Sequence, residues 1–286
     1  MCGIAGLIDF SGNEVSKSSL RKMIRSISHR GPDGVGEYFS SNIALGHVRL
    51  SILDLTKNGQ QPFYSEHENI ILVFNGEIYN FKSLKKELHK DYNFLTQTDS
   101  EVIIAAYLKY GEDCLSYFNG MFSFALYDKE KNILFAARDR FGIKPFYYFL
   151  DKNHFVFGSE IKSILCNEMI VTPKLNEGML FDFIAFNRTD HTEETCFKDI
   201  YNLRPGSKLS LNLINGDAKF DEWYTFSNIK EESSSFKDSK KSLLKNLKNS
   251  VRLHLVSDVE IGSALSGGLD SSIIATLIKE EENKKL

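Results

Sequence analysis

The residues Cys2-Gly3-Ile4-Ala5-Gly6-Leu7-Ile8-Asp9-Phe10, directly after Met1, are the most informative segment of this chain of 286 residues. Their apolar run predicts a buried strand that begins next to Cys2. Removal of Met1, which the small side chain at position 2 favours, would leave the Cys2 thiol beside a free α-amine. An amine with a pKa of about 7.7–8.0 is partly unprotonated at neutral pH and can accept the thiol proton. This position predicts a catalytic nucleophile, and the alternative is a small buried side chain.

The apolar pattern up to residue 160 predicts strands and helices in mixed order. Helical spacing covers Leu20 to Ile27, and a shorter helix is predicted at Leu84 and Leu88. Thr98-Asp99-Ser100-Glu101 has the pattern of a capping box and predicts the start of an apolar helix that runs through Tyr107. Strands are predicted at 43–55, 70–74, 122–126, 133–137, 146–150 and 155–157. This order favours an α+β fold of sheets packed with helices over a βαβ winding.

The composition and the apolar spacing of the chain change near residue 205. Arg204-Pro205-Gly206 predicts a turn, and residues 227–240 are rich in Ser, Lys and Glu, as is typical of a linker. Beyond them, apolar spacing predicts a helix over 243–255, a buried strand over 259–265 and a helix over 271–279. We therefore predict a first domain at 2–205, a connecting segment at 206–240 and a separate segment at 241–286.

Composition limits the classes of function. The formal net charge is -3, and the chain has no long basic run, so nothing favours nucleic acid or an anionic membrane as a partner. The four cysteines are far apart and show neither C-x-x-C nor metal-ligand spacing, so no metal site is predicted. The N-terminus lacks the pattern of a signal peptide, and no apolar run is long enough for a membrane span. We expect a soluble, cytoplasmic protein with reduced thiols.

Several short motifs carry residues that are common in catalytic sites. They are His29-Arg30-Gly31-Pro32-Asp33, Arg49-Leu50-Ser51, Asn75-Gly76-Glu77-Ile78-Tyr79-Asn80 and Thr98-Asp99-Ser100-Glu101. Each of them alone has a structural explanation. Asn75-Gly76 could be a hairpin turn, and Asp99 could be a residue that begins a helix.

Together and in this order, the motifs closely resemble the class II glutamine amidotransferase domain. The resemblance covers residues 2 to about 190. It also includes Arg138-Asp139-Arg140-Phe141-Gly142 and Gly158-Ser159-Glu160-Ile161-Lys162. It implies an Ntn-hydrolase αββα sandwich that hydrolyses glutamine to glutamate and ammonia.

The resemblance also implies a role for each motif residue. Cys2 would attack the amide carbonyl with its own α-amine as base, and the Asn75 side chain and Gly76 backbone N–H would stabilise the oxyanion. The missing Cβ at Gly76 would permit close approach. Arg49 would bind the substrate carboxylate through a bidentate fork, and Asp99, helped by Glu77, would bind its ammonium group. The implied glutamine-binding residues are Arg49, Leu50, Ser51, Ile52, Leu53, Asn75, Gly76, Glu77 and Asp99.

A second motif, Ser266-Gly267-Gly268-Leu269-Asp270-Ser271-Ser272, follows a strand-like run and opens a helix. Glycines let a backbone curl around phosphate, and the amides at a helix N-terminus stabilise an anion. The alternative is a Gly-Gly loop with a helix cap, and the absence of G-K-[ST] excludes a Walker A loop. The motif resembles the pyrophosphate loop of ATP pyrophosphatases. That resemblance implies ATP contacts from Leu265, Ser266, Gly267, Gly268, Asp270 and Ser271, with Asp270 on the Mg²⁺-linked face.

The two motifs in one chain resemble glutamine-hydrolysing asparagine synthetase. In that family ATP and Mg²⁺ activate aspartate as β-aspartyl-AMP, and ammonia from glutamine converts it to asparagine, with release of AMP and diphosphate. Residues 241–286 are too few for a complete α/β nucleotide domain, so we expect an incomplete, C-terminally truncated ATP-pyrophosphatase-like segment. Two alternatives stay open, namely another acceptor carboxylate such as a sugar acid, or a non-synthesising glutaminase or regulatory remnant. A homodimer is a further expectation.

Overall fold

The computed structural model describes residues 1–67, 69–231 and 233–282. In chain order the strands are β1 (Gly3–Asp9), β2 (Gly34–Phe39), β3 (Ile43–Arg49), β4 (Phe63–Tyr64), β5 (Ile70–Ile78), β6 (Gly120–Asp128), β7 (Ile133–Arg138), β8 (Tyr147–Leu150), β9 (His154–Gly158), β10 (Ile200–Asn202), β11 (Ser207–Asn212) and β12 (Ala218–Glu222). The helices are α1 (Lys17–Ser26), α2 (Phe81–Leu88), α3 (Asp99–Tyr110), α4 (Ile161–Leu165), α5 (Glu177–Phe186), α6 (Phe236–His254) and α7 (Leu269–Glu282).

The strands form two six-stranded antiparallel sheets that pack face to face. The first sheet has the order β10-β8-β9-β1-β3-β2, and the second has the order β12-β11-β7-β6-β5-β4. The apolar layer between them includes Ile4 and Phe157 of the first sheet and Val73 and Leu209 of the second. Such a layer forms because alternate side chains of each strand point into the space between two sheets.

Helices cover the outer face of each sheet. Leu20 and Met23 of α1 pack with Leu7 on the first sheet. Leu84 of α2 and Ile103 of α3 pack on the second sheet. The layers are therefore helix, sheet, sheet and helix, which confirms the predicted α+β class and the αββα sandwich.

The strand that follows Cys2 lies near the middle of the first sheet. β1 pairs with β3 from Gly3 opposite Val48 onward, and with β9 on its other side. This register brings Cys2 to the end of β3, where Arg49 ends the strand. β5 of the second sheet, which carries Asn75 and Gly76, pairs along its whole length with β6. Two long-range pairings thus place the nucleophile and the Asn-Gly motif on one rim of the sandwich.

Two predicted strands differ from the structure. The strand predicted over 43–55 ends at Arg49, because the Arg49 side chain donates hydrogen bonds to the carbonyl oxygens of Leu53, Asp54 and Thr56 and folds this loop back. The buried strand predicted over 259–265 was wrong. These residues form no strand and are exposed, since no strand among the described residues lies beside them to pair their backbone groups.

The predicted boundary at residue 205 falls inside the second sheet. β11 pairs with β7 and β12, so residues 207–222 of the predicted connecting segment belong to the sandwich. The alternation of buried Leu209 and Leu211 with half-buried Ser210 along β11 is the period-two pattern of a strand with one buried face. α6 begins at Phe236, still within the segment predicted as a linker.

α6 and α7 lie outside the sandwich and pack against each other. Lys248 pairs with Glu280 at 2.7 Å, and Arg252 pairs with Glu281 at 3.1 Å. Leu277 and Glu281 are the buried residues of α7. Within the described part of the chain, no helix has both the length and the apolar character needed to cross a bilayer.

Candidate active site

A cavity of about 150 Å³ opens at the rim of the sandwich beside Cys2. Its walls come from the end of β3 and the loop after it, from β5, and from the start of α3. The structure brings together almost all of the predicted glutamine site, since Cys2, Arg49, Leu50, Ile52, Leu53, Asn75, Gly76, Glu77 and Asp99 all line this cavity. Ser51 is the exception, because its backbone N–H turns to the Asp33 carboxylate at 2.8 Å.

The position of Cys2 is held by contacts from distant motifs. Its Sγ lies 3.3 Å from the Leu50 backbone nitrogen, which donates to it, and 3.5 Å from the Leu50 carbonyl oxygen. Its own carbonyl oxygen accepts a hydrogen bond from Arg30 Nε at 2.9 Å. Glu160 pairs with Arg30 at 3.1 Å, so two of the motifs that looked unrelated in the sequence fix the backbone of the nucleophile.

Burial raises the pKa of the Cys2 thiol, and the Leu50 hydrogen bond opposes this shift. A thiol with a raised pKa is mostly protonated at neutral pH, so it needs a base in order to react as the thiolate. While Met1 is present, the Cys2 nitrogen belongs to a peptide bond and cannot serve as that base. Met1 also lines the cavity, and its Sδ accepts a hydrogen bond from Lys144 Nζ at 3.2 Å. Loss of Met1 would create the amine and enlarge the cavity in one step.

Asn75 shows the clearest sign of a binding function. Its Nδ2 and Oδ1 atoms are both buried, and neither has a hydrogen-bond partner within the described structure. Buried amides are nearly always hydrogen-bonded, because an unpaired polar group costs about 1–3 kcal/mol. This amide lines a cavity that also contains Cys2, so its donor and acceptor atoms lie where a ligand could pair with them.

The glycine at position 76 has a structural cause that the sequence did not reveal. A Cβ at Gly76 would lie 2.2 Å from the Met121 carbonyl oxygen and 2.7 Å from Phe122 Cα. Both atoms belong to β6, the strand paired with β5 at this point. The missing Cβ therefore permits the close packing of two strands, and its role in the approach of substrate stays a prediction.

Arg49 lies at the edge of the cavity and is largely buried. Its Nη1 donates to the Thr56 carbonyl oxygen at 2.7 Å, and its Nη2 donates to the carbonyl oxygens of Leu53, at 3.3 Å, and Asp54. Gly59 makes room for it, because a Cβ there would lie 2.1 Å from Nη2. No carboxylate neutralises the guanidinium among the ion pairs of the described residues. It therefore offers a fixed positive charge to the cavity.

Two carboxyl groups face the same cavity. Asp99 is the first residue of α3, and its Oδ2 accepts a hydrogen bond from the Ile78 backbone N–H at 2.9 Å. Burial raises the pKa of Asp99 to about 7, the Ile78 hydrogen bond opposes this, and nearby Glu77 adds to it. Burial also raises the pKa of Glu77, against the attraction of Lys144. A cation in the cavity would lower the pKa of both carboxyl groups, because it would favour their charged forms.

The helix start beside Asp99 only partly follows the predicted capping box. Thr98 Oγ1 accepts from the Glu101 backbone N–H at 3.4 Å, as expected. The Glu101 carboxylate instead accepts from the backbone N–H groups of Leu95 and Thr96, both at 2.7 Å. The Glu101 side chain therefore does not return to the backbone N–H of Thr98, as a full capping box requires, and instead fixes the loop before α3.

Lys144 is a cavity residue that the sequence reasoning did not identify. Its side chain is buried, and its ammonium group contacts only Met1 Sδ among the polar contacts of the described structure. Burial lowers the pKa of Lys144, while Glu77 and Cys2 raise it. Asp139 shapes the loop that presents it, since its carboxylate accepts from the backbone N–H groups of Phe122, Phe141, Ile143 and Lys144. The sequence signal that could have identified Lys144 is the motif at 138–142, which ends two residues before it.

The second motif lies at the start of α7, away from this cavity. Gly267 has a φ of 81°, a left-handed conformation that favours glycine. Ser266 Oγ lies 3.0 Å from Ser271 Oγ, and the Ser271 and Ser272 hydroxyls both donate to the Gly268 carbonyl oxygen. The predicted ATP residues are thus neighbours, with Leu265, Ser266, Gly267 and Gly268 on the loop and Asp270 and Ser271 in the first turn of α7. No cluster of metal-ligating side chains occurs in the described ranges.

Comparisons with known proteins agree with this geometry. Residues 1–224 match the model of a family described as glutamine amidotransferase domain. Residues 242–286 match the model described as asparagine synthase. The first match covers the whole sandwich, β11 and β12 included, and the second begins within α6.

Curated relatives match almost the entire chain. A putative glutamine-hydrolysing asparagine synthetase 2 of Methanocaldococcus jannaschii is 37% identical and is covered over 57% of its length, with 98% of this chain aligned. Asparagine synthetase 3 of Bacillus subtilis, also named glutamine-hydrolysing, is 36% identical, with 97% of this chain and 45% of the relative aligned. The chain therefore spans about half the length of these relatives and corresponds to their N-terminal, glutaminase half.

A solved structure supports the fold. The glutamine phosphoribosylpyrophosphate amidotransferase of Bacillus subtilis matches with a TM-score of 0.57 at 18% identity, over 98% of this chain and 64% of that one. At this identity the likeness concerns the fold alone, and it agrees with the αββα sandwich. With the cavity, the family match and the relatives taken together, the chain belongs to the glutamine amidotransferase family and carries the glutamine amidotransferase domain of the asparagine synthetase family.

Proposed function

We propose that this chain hydrolyses glutamine to glutamate and ammonia at the cavity beside Cys2. The observation that carries the proposal is the buried, unpartnered Asn75 amide in the same cavity as the Cys2 thiol. After Met1 is lost, the α-amine of Cys2 takes the thiol proton, and the thiolate attacks the glutamine amide carbon. The oxyanion that forms accepts hydrogen bonds from the Asn75 side chain and the Gly76 backbone N–H.

The remainder of the reaction uses the same groups. The protonated α-amine donates its proton to the leaving nitrogen, so that ammonia departs and a thioester remains on Cys2. Water, deprotonated by the same amine, then attacks the thioester carbon. The products are glutamate and a free thiol, which restores the starting state.

The charges of the cavity match the α-amino acid end of glutamine. Arg49 supplies a guanidinium without a carboxylate partner for the substrate carboxylate, and Asp99 and Glu77 supply acidic groups for the substrate ammonium. Three of the five Arg49 N–H groups, including both of those on Nη2, already donate to loop carbonyls, so the bidentate fork predicted from the sequence requires Nη2 to exchange a loop carbonyl for the substrate carboxylate. Leu50, Ile52 and Leu53 complete the wall around the substrate.

We further propose that the ammonia serves an ATP-dependent synthesis of asparagine from aspartate in the longer protein. The match of residues 242–286 to the asparagine synthase model and the names of the relatives support this proposal. The loop of Ser266, Gly267 and Gly268 would hold the phosphates of ATP, with Ser271 beside them, Leu265 against the adenine nucleotide and Asp270 toward Mg²⁺.

The four cysteines are free thiols, which fits a cytoplasmic protein.

Glutamate release is the direct test of the glutaminase proposal. The N-terminus of the purified protein is first mapped by mass spectrometry, and forms with and without Met1 are assayed separately. We expect glutamate and ammonia in equal amounts from the form that begins at Cys2 and none from the form that keeps Met1. Absence of glutamate from the processed form would refute the proposal.

The pH dependence of glutamine binding tests the role of Asp99. Its pKa of about 7 means that the carboxylate, which binds the substrate ammonium, is mostly ionised at pH 8 and mostly protonated at pH 6. We therefore expect the Kd for glutamine to rise about tenfold from pH 8 to pH 6. Calorimetry on the Cys2→Ala variant measures binding without the titration of the nucleophile.

The variants Asp99→Asn and Glu77→Gln assign this titration. Asp99→Asn should bind glutamine weakly, with a Kd that does not change between pH 6 and pH 8. Glu77→Gln should keep a pH-dependent Kd, because Asp99 is still present, with a smaller change between pH 6 and pH 8, because Glu77 no longer raises the pKa of Asp99. A pH-independent Kd in the protein with both carboxyl groups intact would show that Asp99 does not bind the ammonium group.

A further inference from the structure

The segment 254–258, which follows α6, packs against the outer wall of the glutamine cavity. The His254 ring lies 4.0 Å from the ring of Tyr79, centroid to centroid. Val256 packs against the apolar cluster on the outer face of the second sheet. A second cavity, between this segment and the sheet, shares Ile52 and Glu77 with the wall of the first. A part of the chain that matches the asparagine synthase model therefore touches the glutaminase site.

Asp258 makes the most direct contact of this segment with the site. Its backbone N–H donates to the Ile52 carbonyl oxygen at 3.0 Å. Its Oδ2 accepts a hydrogen bond from the Asp54 backbone N–H at 2.8 Å. One residue thus bridges a carbonyl and an amide on opposite sides of Leu53. The amide at Asp54 belongs to a residue with a φ of 51°, where a non-glycine backbone needs support from its surroundings.

The loop that Asp258 bridges is the one that holds Arg49. The carbonyl oxygens of Leu53, Asp54 and Thr56 all accept hydrogen bonds from the Arg49 guanidinium. A shift of the Asp54 peptide would therefore move the acceptors that orient the guanidinium. The geometry points to Asp258 as a positioning residue, which places Arg49 for the substrate carboxylate by fixing loop 50–56. This inference rests on the glutaminase proposed above.

Glutamine kinetics of Asp258→Ala test the positioning role. The variant loses the acceptor for the Asp54 N–H and keeps the backbone bond to Ile52, so we expect KM to rise about fivefold while kcat stays within twofold. Asp258→Asn keeps an oxygen acceptor and should restore KM to within twofold. Glu260→Ala removes an exposed acidic residue two positions after Asp258, which has no hydrogen bond among the described residues. Its KM and kcat should match those of the unmodified protein.

A second measurement on the same variants does not depend on activity. Amide hydrogen exchange at Asp54, measured without glutamine, should be about fivefold faster in Asp258→Ala and unchanged in Glu260→Ala. Unchanged exchange at Asp54 would overturn the contact, and unchanged KM with faster exchange would overturn the link to Arg49. An unmodified protein that releases no glutamate would instead refute the glutaminase, while the exchange result would still decide whether Asp258 holds the loop.

Discussion

Cys2→Ala is expected to lower kcat for glutamine hydrolysis about 10⁴-fold or more, because no other group in the cavity can form the thioester. The Sγ atom makes only weak hydrogen bonds with Leu50, at 3.3 and 3.5 Å, so the unfolding temperature should change little. Alanine is also small enough at position 2 for removal of Met1, which keeps the N-terminus comparable. Glutamate release by protein of mapped N-terminus is the measurement.

Cys166→Ala is the matched control for this substitution. Cys166 is a free, half-buried thiol in the same sandwich, and it does not line the cavity. Its removal should leave kcat unchanged. If Cys2→Ala kept more than about a hundredth of the activity, or if Cys166→Ala lost as much, then Cys2 would not be the nucleophile.

Asn75→Ala is expected to lower kcat about 10²–10³-fold, which is the usual cost of losing one oxyanion donor. KM should change much less, because the donor binds the oxyanion more strongly than the ground-state amide. The structure adds a second expectation. Since the Asn75 amide has no hydrogen-bond partner among the described residues, its removal breaks none of their bonds, and the free energy of unfolding should not fall by the amount typical of a buried amide.

Gln61→Ala provides the contrast for Asn75→Ala. Gln61 carries a buried amide in the same cavity, but its Oε1 accepts from the Phe74 N–H at 2.6 Å and its Nε2 donates to the Phe74 carbonyl oxygen at 3.2 Å. Its removal strands the buried Phe74 N–H, while the Phe74 carbonyl oxygen keeps its contact with His47 Nε2 at 3.1 Å, and should lower the free energy of unfolding by about 1–3 kcal/mol. Thermal or urea unfolding of both variants measures the difference. Equal losses of stability would mean that the Asn75 amide is a structural group rather than one held ready for substrate.

The sandwich was largely predictable because its signals are local. Apolar runs and helical spacing predicted β1, α1, α2 and α3 close to where they lie, and α3 begins directly after Thr98 as the cap predicts. The strand over 259–265 was predicted by the same kind of signal and was wrong. A strand needs neighbours that complete its hydrogen bonds, and an apolar run alone does not supply them. The strand β11 was not predicted, although its residues do alternate between buried and half-buried. Its pattern lies in the segment that was assigned to a linker because of the nearby Ser-rich and Lys-rich region.

The sequence by itself determined the chemical inventory of this protein: a cysteine at position 2, an Asn-Gly pair, a guanidinium, two carboxylates and a glycine-rich loop in a characteristic order. Only the tertiary structure decided how these groups behave. The Asn75 amide has no hydrogen-bond partner among the described residues, burial raises the pKa of Asp99 to about 7, Lys144 lines the cavity, and Asp258 contacts the loop beside it. The physical reason is that desolvation and hydrogen-bond satisfaction depend on partners far away in the chain. Leu50 beside Cys2 and Asp258 beside Asp54 are neighbours only because the sheets and the segment after α6 bring them together.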